Sequence, residues 1–374
     1  MEPATMPLRT LATAICLTLI YTAASAAEPP KADRELQLRT ELQQQIAAAW
    51  RANDFKTLET MGEDILAKGT KTFNGMPKLA PYNYDLDQQM EIDWPDNWKV
   101  AGQVADGCSC KAPDPAHYAE AEQRWDIIGH KLNAWSNQYP LSNIAPVARM
   151  RYFLNRAWFF RGGAYSDKVL PQAWPKFQQY LDEASKTAQA SAPIRFKNPA
   201  WYGYAIQLAV ANDGPVDQLV AEMPEHGQLY TVAFDYAATF LQPKWGGSET
   251  AIRELISKTV QQAPKKEGLE FYARLYWILL ESDDRSLREQ SLADVDRGML
   301  KAGFNIILER YPEVWNYTGA AHIACRINDP AYFEQATRWL GIADRFKGKP
   351  LQSINCATAD FSLPKPGLWS WFWS

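Results

Sequence analysis

The chain is poor in the residues that usually mark a chemical site. It has four histidines in 374 residues, and they are scattered. His117 and His130 sit thirteen apart, His226 falls in a loop and His322 on a helix, so no metal-ligand spacing is formed. No serine, cysteine or lysine stands in a nucleophile motif. The formal net charge of -4 gives no electrostatic case for nucleic acid or an anionic lipid surface. β-Branched runs and apolar/polar alternation are also scarce, which excludes a sheet-based fold. Beyond the first residues no apolar stretch is long enough to span a bilayer.

The N-terminus is the exception. Arg9 precedes "LATAICLTLI" and then "YTAASA", with Ala24 and Ala26 at the small-residue positions of a signal peptidase site. The pattern predicts a signal peptide over 1–26 and a periplasmic or secreted mature chain. Four cysteines then remain, and an oxidising compartment makes pairing the default. Of the three connectivities, Cys325 with Cys356 would staple the last hairpin to the tail and leave Cys108 with Cys110. A loop of that size contributes roughly 3 to 4 kcal/mol in the chain-entropy view. A redox or metal pair is the rival reading of "CSC".

What is abundant is aromatic residues, 15 Trp, 17 Tyr and 15 Phe, and helical periodicity. In the segment opening at Asp114 and Pro115, Tyr118, Ala121, Trp125, Ile128, Leu132 and Trp135 recur at three and four and form one stripe. Ser142, Asn198 with Pro199, and Asp329 with Pro330 read as further helix starts, and Gly162–Gly163 as a stop. "AWRANDF", "AVANDG" and "ACRINDP" each place Asn where a left-handed residue ends one helix and Asp where the next is capped. These features predict an all-α protein of eleven to thirteen helices, an array of αα-hairpins of tetratricopeptide-like superhelical kind with one long ordered loop. The divisions are an N-terminal hairpin over 27–73, a Pro/Gly-rich loop over 74–113, the array over 114–345 and an aromatic tail over 346–374. Within the loop, Asp85, Asp87, Glu91, Asp93 and Asp96 read as a solvated acidic segment without calcium-loop spacing. The tail motif "GLWSWFWS" reads as a cap over an open end of the array, or, if exposed, as an anchor.

Four stretches, "DFKTLETMGEDIL", "NRAWFFRGG", "LQPKWGGS" and "LERYPEVWNYTGAAHIAC", stand in the order found in a bacterial family, domain of unknown function 4034, which the chain resembles from about residue 50 to residue 345. The resemblance implies a tetratricopeptide-like helical array in exported or envelope proteins with no established activity. It carries no catalytic residues over, and Lys244 stands where the family usually has Arg.

Two groups of residues are candidate binding elements. In "LQPKWGGS", Gly247 and Ser248 would open a helix whose free N–H groups could receive an anion, assisted by Lys244. The same residues also read as a joint, with Pro243 a stop, Trp245 a wedge and Ser248 a cap, and they lack nucleotide-loop spacing. Arg149, Arg151, Arg156 and Arg161 crowd one helix, with Arg149 and Arg156 on one side. They would form an anion-binding stripe in a groove, unless acids and aromatic rings hold them. No cofactor is implied. The sequence therefore predicts a binding or scaffolding module for a peptide or protein partner. A cell-wall hydrolase or lyase is the alternative from another class.

Overall fold

The computed structural model describes residues 34–95, 97–98, 112–163, 166–212, 214–226, 229–243, 248, 250–282 and 285–356. The expected signal peptide, Cys108, Cys110, Lys244, Trp245, Gly247 and the "GLWSWFWS" motif lie outside these residues. The protein is all-α. Its fifteen described α-helices are α1 (Arg34–Ala52), α2 (Phe55–Lys68), α3 (Leu79–Gln89), α4 (Tyr118–Gln138), α5 (Ala145–Arg161), α6 (Ala173–Ala190), α7 (Ala200–Ala211), α8 (Val216–His226), α9 (Thr231–Phe240), α10 (Ala251–Gln262), α11 (Lys265–Glu281), α12 (Arg285–Asp294), α13 (Arg297–Arg310), α14 (Val314–Arg326) and α15 (Pro330–Trp339). Among the described residues the only β pairing is a lone bridge between Lys71 and Pro77, and no helix is long and apolar enough to cross a membrane.

Local chemistry explains most boundaries. Asn53 and Asn328 adopt φ values of 54° and 52°, the left-handed turn that short polar side chains tolerate. Asp54 then accepts from the Thr57 N–H at 3.1 Å and Asp329 from the Tyr332 N–H at 3.0 Å, capping α2 and α15. The Ser142 hydroxyl accepts from the N–H groups of Ile144 and Ala145 at 2.9 and 2.8 Å. Asn198 does the same for Ala200. The α4 stripe is the face that packs, with Ala121, Trp125, Ile128, Leu132 and Trp135 all buried.

The reading of 74–113 as one loop is corrected, because eleven of its residues form α3. The proline inside it, Pro81, falls in the first turn, where its missing N–H costs nothing. The helix buries Tyr82 and Leu86 on one side, and the Tyr82 hydroxyl donates to the Leu58 carbonyl at 2.8 Å. This helix is one reason the described helices outnumber the eleven to thirteen expected.

The helices follow one another in a row, in which α1 packs on α3, α3 on α5, α5 on α7, α7 on α9, α9 on α11 and α11 on α14. At the α11–α14 contact Gly319 lies flat on the Trp277 ring, where a Cβ would collide. The row then returns to its start. Arg34 at the head of α1 ion-pairs with Glu313 at the head of α14, and the turn at 70–78 fills the gap between them. The Asn74 N–H donates to Glu35 of α1 at 3.0 Å, while its carbonyl accepts from Arg274 of α11 at 2.9 Å and from Asn316 of α14 at 3.0 Å. The Cys325–Cys356 disulfide, with Cα atoms 5.7 Å apart, ties α14 to the segment after α15.

Candidate functional site

Within this row α3 brings polar side chains to its contact with α5, and the candidate site is built around that contact. Period 3.6 puts Tyr84, Asp87 and Gln88 opposite the packed Tyr82 and Leu86, with Asp85 at the edge. The acidic segment expected to be solvated is therefore corrected, since Asp85 is 1% and Asp87 6% exposed. A chain burying one face of α3 must bury acids at its edges, and each then needs a partner.

Asp87 finds one on α5. Arg151 donates to it from Nε and Nη2, both at 2.8 Å, and Asn155 donates from Nδ2 at 2.6 Å. Arg151 also reaches Gln207 of α7 at 3.4 Å and lies 5.6 Å above the Tyr204 ring. Burial alone would lower the guanidinium's pKa, but the charge of Asp87 outweighs it and holds the group well above its ordinary value. Little of the pair meets solvent, with side-chain exposures of 12% for Arg151 and 8% for Asp87. Around it, Gln207 of α7 and Tyr236 of α9 are half-buried. The Tyr204 and Tyr236 rings stand 6.2 Å apart. Four helices thus meet at a largely buried polar centre backed by aromatic rings.

Asp85 is treated differently. Neither carboxyl oxygen has a hydrogen-bond partner among the described residues. Burial raises its pKa to about 7, against the pull of Arg39 on α1. Asp235 on α9, 4% exposed, is likewise raised to about 7 by burial, and its charge acts on the Tyr236 hydroxyl. Further along the row, Asn74 Nδ2 and Asn316 Oδ1 are also buried without partners among the described residues. Each such atom costs about 1 to 3 kcal/mol unless a water or ligand meets it.

The arginines of α5 go to separate places. Arg149 lies 5.9 Å from the Phe153 ring centre. Arg156 turns away from the row into a cage of Glu122 and Asp126 on α4 and the Tyr152 hydroxyl, with Lys176 and Tyr180 of α6 also on Glu122. Arg161 lies on Trp158, Trp174 and Phe177 at 4.9, 5.4 and 5.7 Å, and donates to the Gly162 carbonyl. Only Arg151 of the four reaches α3. In the "LQPKWGGS" stretch the Ser248 hydroxyl accepts from the Ala251 N–H at 3.1 Å, as a cap does. Among the described residues no group of three His, Cys, Asp or Glu side chains is arranged to hold a metal ion.

Sequence reasoning grouped Arg151 with its neighbours, placed Asp87 in a solvated acidic loop, and left Tyr204, Gln207, Asp235 and Tyr236 unnamed. One signal for Asp87 lay in α3 itself, where Tyr82, Leu86 and Met90 recur at four beside the acids. No family model matches the chain. No curated protein matches it, and no solved structure does.

Proposed function

We propose that the protein is an exported binding module, of the domain of unknown function 4034 kind, that holds a peptide or protein partner against the polar centre formed by α3, α5, α7 and α9. One observation carries the reading. The Arg151–Asp87 pair gathers donors and acceptors from several helices at one point, with Gln207, Tyr204 and Tyr236 around it and Gln207 and Tyr236 half-buried.

An extended peptide presents alternating N–H and C=O groups, and this centre offers both donors and acceptors beside aromatic rings. The repeat-like superhelical build and the periplasmic or secreted location belong to the same proposal, supported by the helical row and by the N-terminal pattern of Arg9 and Ala26. The test is affinity capture from the native envelope with the wild type and with Tyr236→Ala at matched thermal stability. The reading expects a partner retained by the first and lost by the second. Identical captures, or none, would remove it.

A hydrolase or lyase acting on cell-wall material is the second reading, favoured by the carboxyl of Asp235, which burial holds near neutrality beside Tyr236. It expects purified cell-wall sacculi to release soluble fragments with the wild type and none with Asp235→Asn. No release from the wild type would dismiss it.

A further inference from the structure

The turn over 70–78, which closes the row, is held in the way a bound peptide is held. Its central contacts belong to the backbone of one residue. Glu35 of α1 accepts from the Asn74 N–H at 3.0 Å, and the Asn74 carbonyl accepts from Arg274 of α11 at 2.9 Å and from Asn316 of α14 at 3.0 Å. The three receiving side chains are buried, and Glu270 of α11 orients Arg274 at 3.0 Å. Gly75 follows at φ 86°, where a Cβ would stand 2.3 Å from the Arg274 guanidinium and 2.4 Å from the Tyr311 ring, so only glycine fits. The fit is incomplete. Asn74 Nδ2 and Asn316 Oδ1, on residues at 0% exposure, have no partner among the described residues. Little apolar surface secures the turn. The buried members of 71–77 are Thr72, Asn74 and Gly75, while Lys71 reaches Glu270 at 3.1 Å from an exposed position and Phe73 turns outward beneath the Arg34 guanidinium.

We propose that the 70–78 turn is an internal stand-in for a ligand: it lifts out while the helices stay folded, and uncovers a site of Glu35, Arg274 and Asn316 that binds a partner's peptide turn in its place. The site is built on α1, α11 and α14, apart from the polar centre of α3, α5, α7 and α9, and does not depend on the reading of that centre. The turn is stapled within itself, with the Thr72 N–H on the Met76 carbonyl and the Lys78 N–H on the Thr70 carbonyl, both at 2.8 Å, and Asn74 Oδ1 accepting from the Thr72 hydroxyl and the Met76 N–H. It therefore moves as one piece, exchanging hydrogen bonds with water at small apolar cost. Gly69, at φ 55° with open space where a Cβ would be, is the hinge between α2 and the turn. The ligand selected presents an N–H to a carboxylate, a carbonyl to a guanidinium and an amide, and glycine next. One that also donates to Asn316 Oδ1 would displace the chain's own turn.

Native-state hydrogen exchange on the wild type tests the opening. The Asn74 amide should exchange at least 100-fold faster than the amides of α11, at a rate that hardly changes in low urea, as local opening does. Exchange of Asn74 at the α11 rate overturns the proposal. Binding is tested with a fluorescent cyclic peptide copying residues 70–78, against three full chains: the wild type, a chain with 71–77 replaced by glycine and serine, and that chain carrying Arg274→Gln. Circular dichroism melts show whether each is folded. The replaced chain should bind the peptide at least tenfold more tightly than the wild type, and Arg274→Gln should remove the gain. No binding by the folded replaced chain, or binding that Arg274→Gln leaves unchanged, overturns the proposal. So does a replaced chain that fails to fold, because the helices would then need the turn in place.

Discussion

Two buried ionic regions of this molecule face opposite ways and are built on opposite principles. Around Glu122, between α4, α5 and α6, Arg156, Lys176 and the Tyr180 hydroxyl all donate to one carboxylate. Burial would raise its pKa, but these three donors outweigh that and hold it below the ordinary value. Around Asp85, between α1 and α3, no donor reaches the carboxyl among the described residues, and it retains its proton up to about pH 7. The first arrangement satisfies the charge it buries. The second leaves the hydrogen-bonding capacity of a buried carboxyl unmet among the described residues. The first arrangement adds to stability; the second subtracts from it wherever the carboxyl must ionise.

The sharpest way to break this comparison is to remove one partner from each region. Arg156→Ala strands Glu122 with two of its three donors and should cost roughly 3 to 5 kcal/mol, read from the midpoint of urea unfolding. At pH 4, where its carboxyl is protonated in the folded chain, Asp85→Asn should move the same midpoint by less than about 1 kcal/mol, because it makes no bond to lose. Equal losses would mean that the two regions do the same job.

The disulfide gives a covalent scale for these effects. Cys325→Ser should cost roughly 3 to 4 kcal/mol for a separation of 31 residues, and reductant should lower the wild type's melting temperature by a matching amount. A variant insensitive to reductant but as stable as the wild type would show that packing of α14 alone suffices.

Asp235 sharpens the comparison through pH. Its folded pKa of about 7 lies above the ordinary 3.8, so the folded state holds the proton more tightly than the unfolded chain. The stabilisation this gives is complete below pH 4 and is lost as pH rises to about 7. Asp235→Asn removes that dependence and should raise stability at pH 8 by about 2 kcal/mol, roughly half of what three pKa units correspond to, since a buried amide still lacks a partner. Unfolding curves at pH 5 and pH 8 that shift equally in wild type and variant would contradict it. The smallest effect belongs to Ser248→Ala, a loss of about 1 kcal/mol from the first turn of α10 in thermal melts. A cap loses stability there, whereas a loop kept only for a ligand loses none.

These same residues show what the sequence could tell. The Asn-Asp turns at Asn53 and Asn328, the caps at Asp54, Ser142, Asn198 and Asp329, the α4 stripe and the Cys325–Cys356 pair are all readable, because each depends on chemistry within a few residues or on a compartment rule. The α3 helix was hidden by its setting. Prolines and glycines on both sides and acids at alternate positions resemble a solvated loop, and only the Tyr82, Leu86 and Met90 spacing argues otherwise. The polar centre was less legible still, since Asp87, Arg151, Gln207 and Tyr236 come together from 64, 56 and more residues apart. Nothing local announces that four helices will aim side chains at one point. The arginines of α5 made the reverse case: close in sequence, they part in space because successive residues on a helix face different neighbours.

The return of the helical row to its own beginning also governs how the molecule can come into being. In a linear array each unit leans on its neighbour, and folding can start anywhere and spread. Here Arg34 meets Glu313 across 279 positions, and Asn74 meets Asn316 across 242. The seat of α1 is partly made of side chains synthesised near the end of the chain. Such long closures make folding slow and push the final step late. The emerging chain therefore has no finished partial product: its first helix waits, incompletely housed, for α14 to arrive.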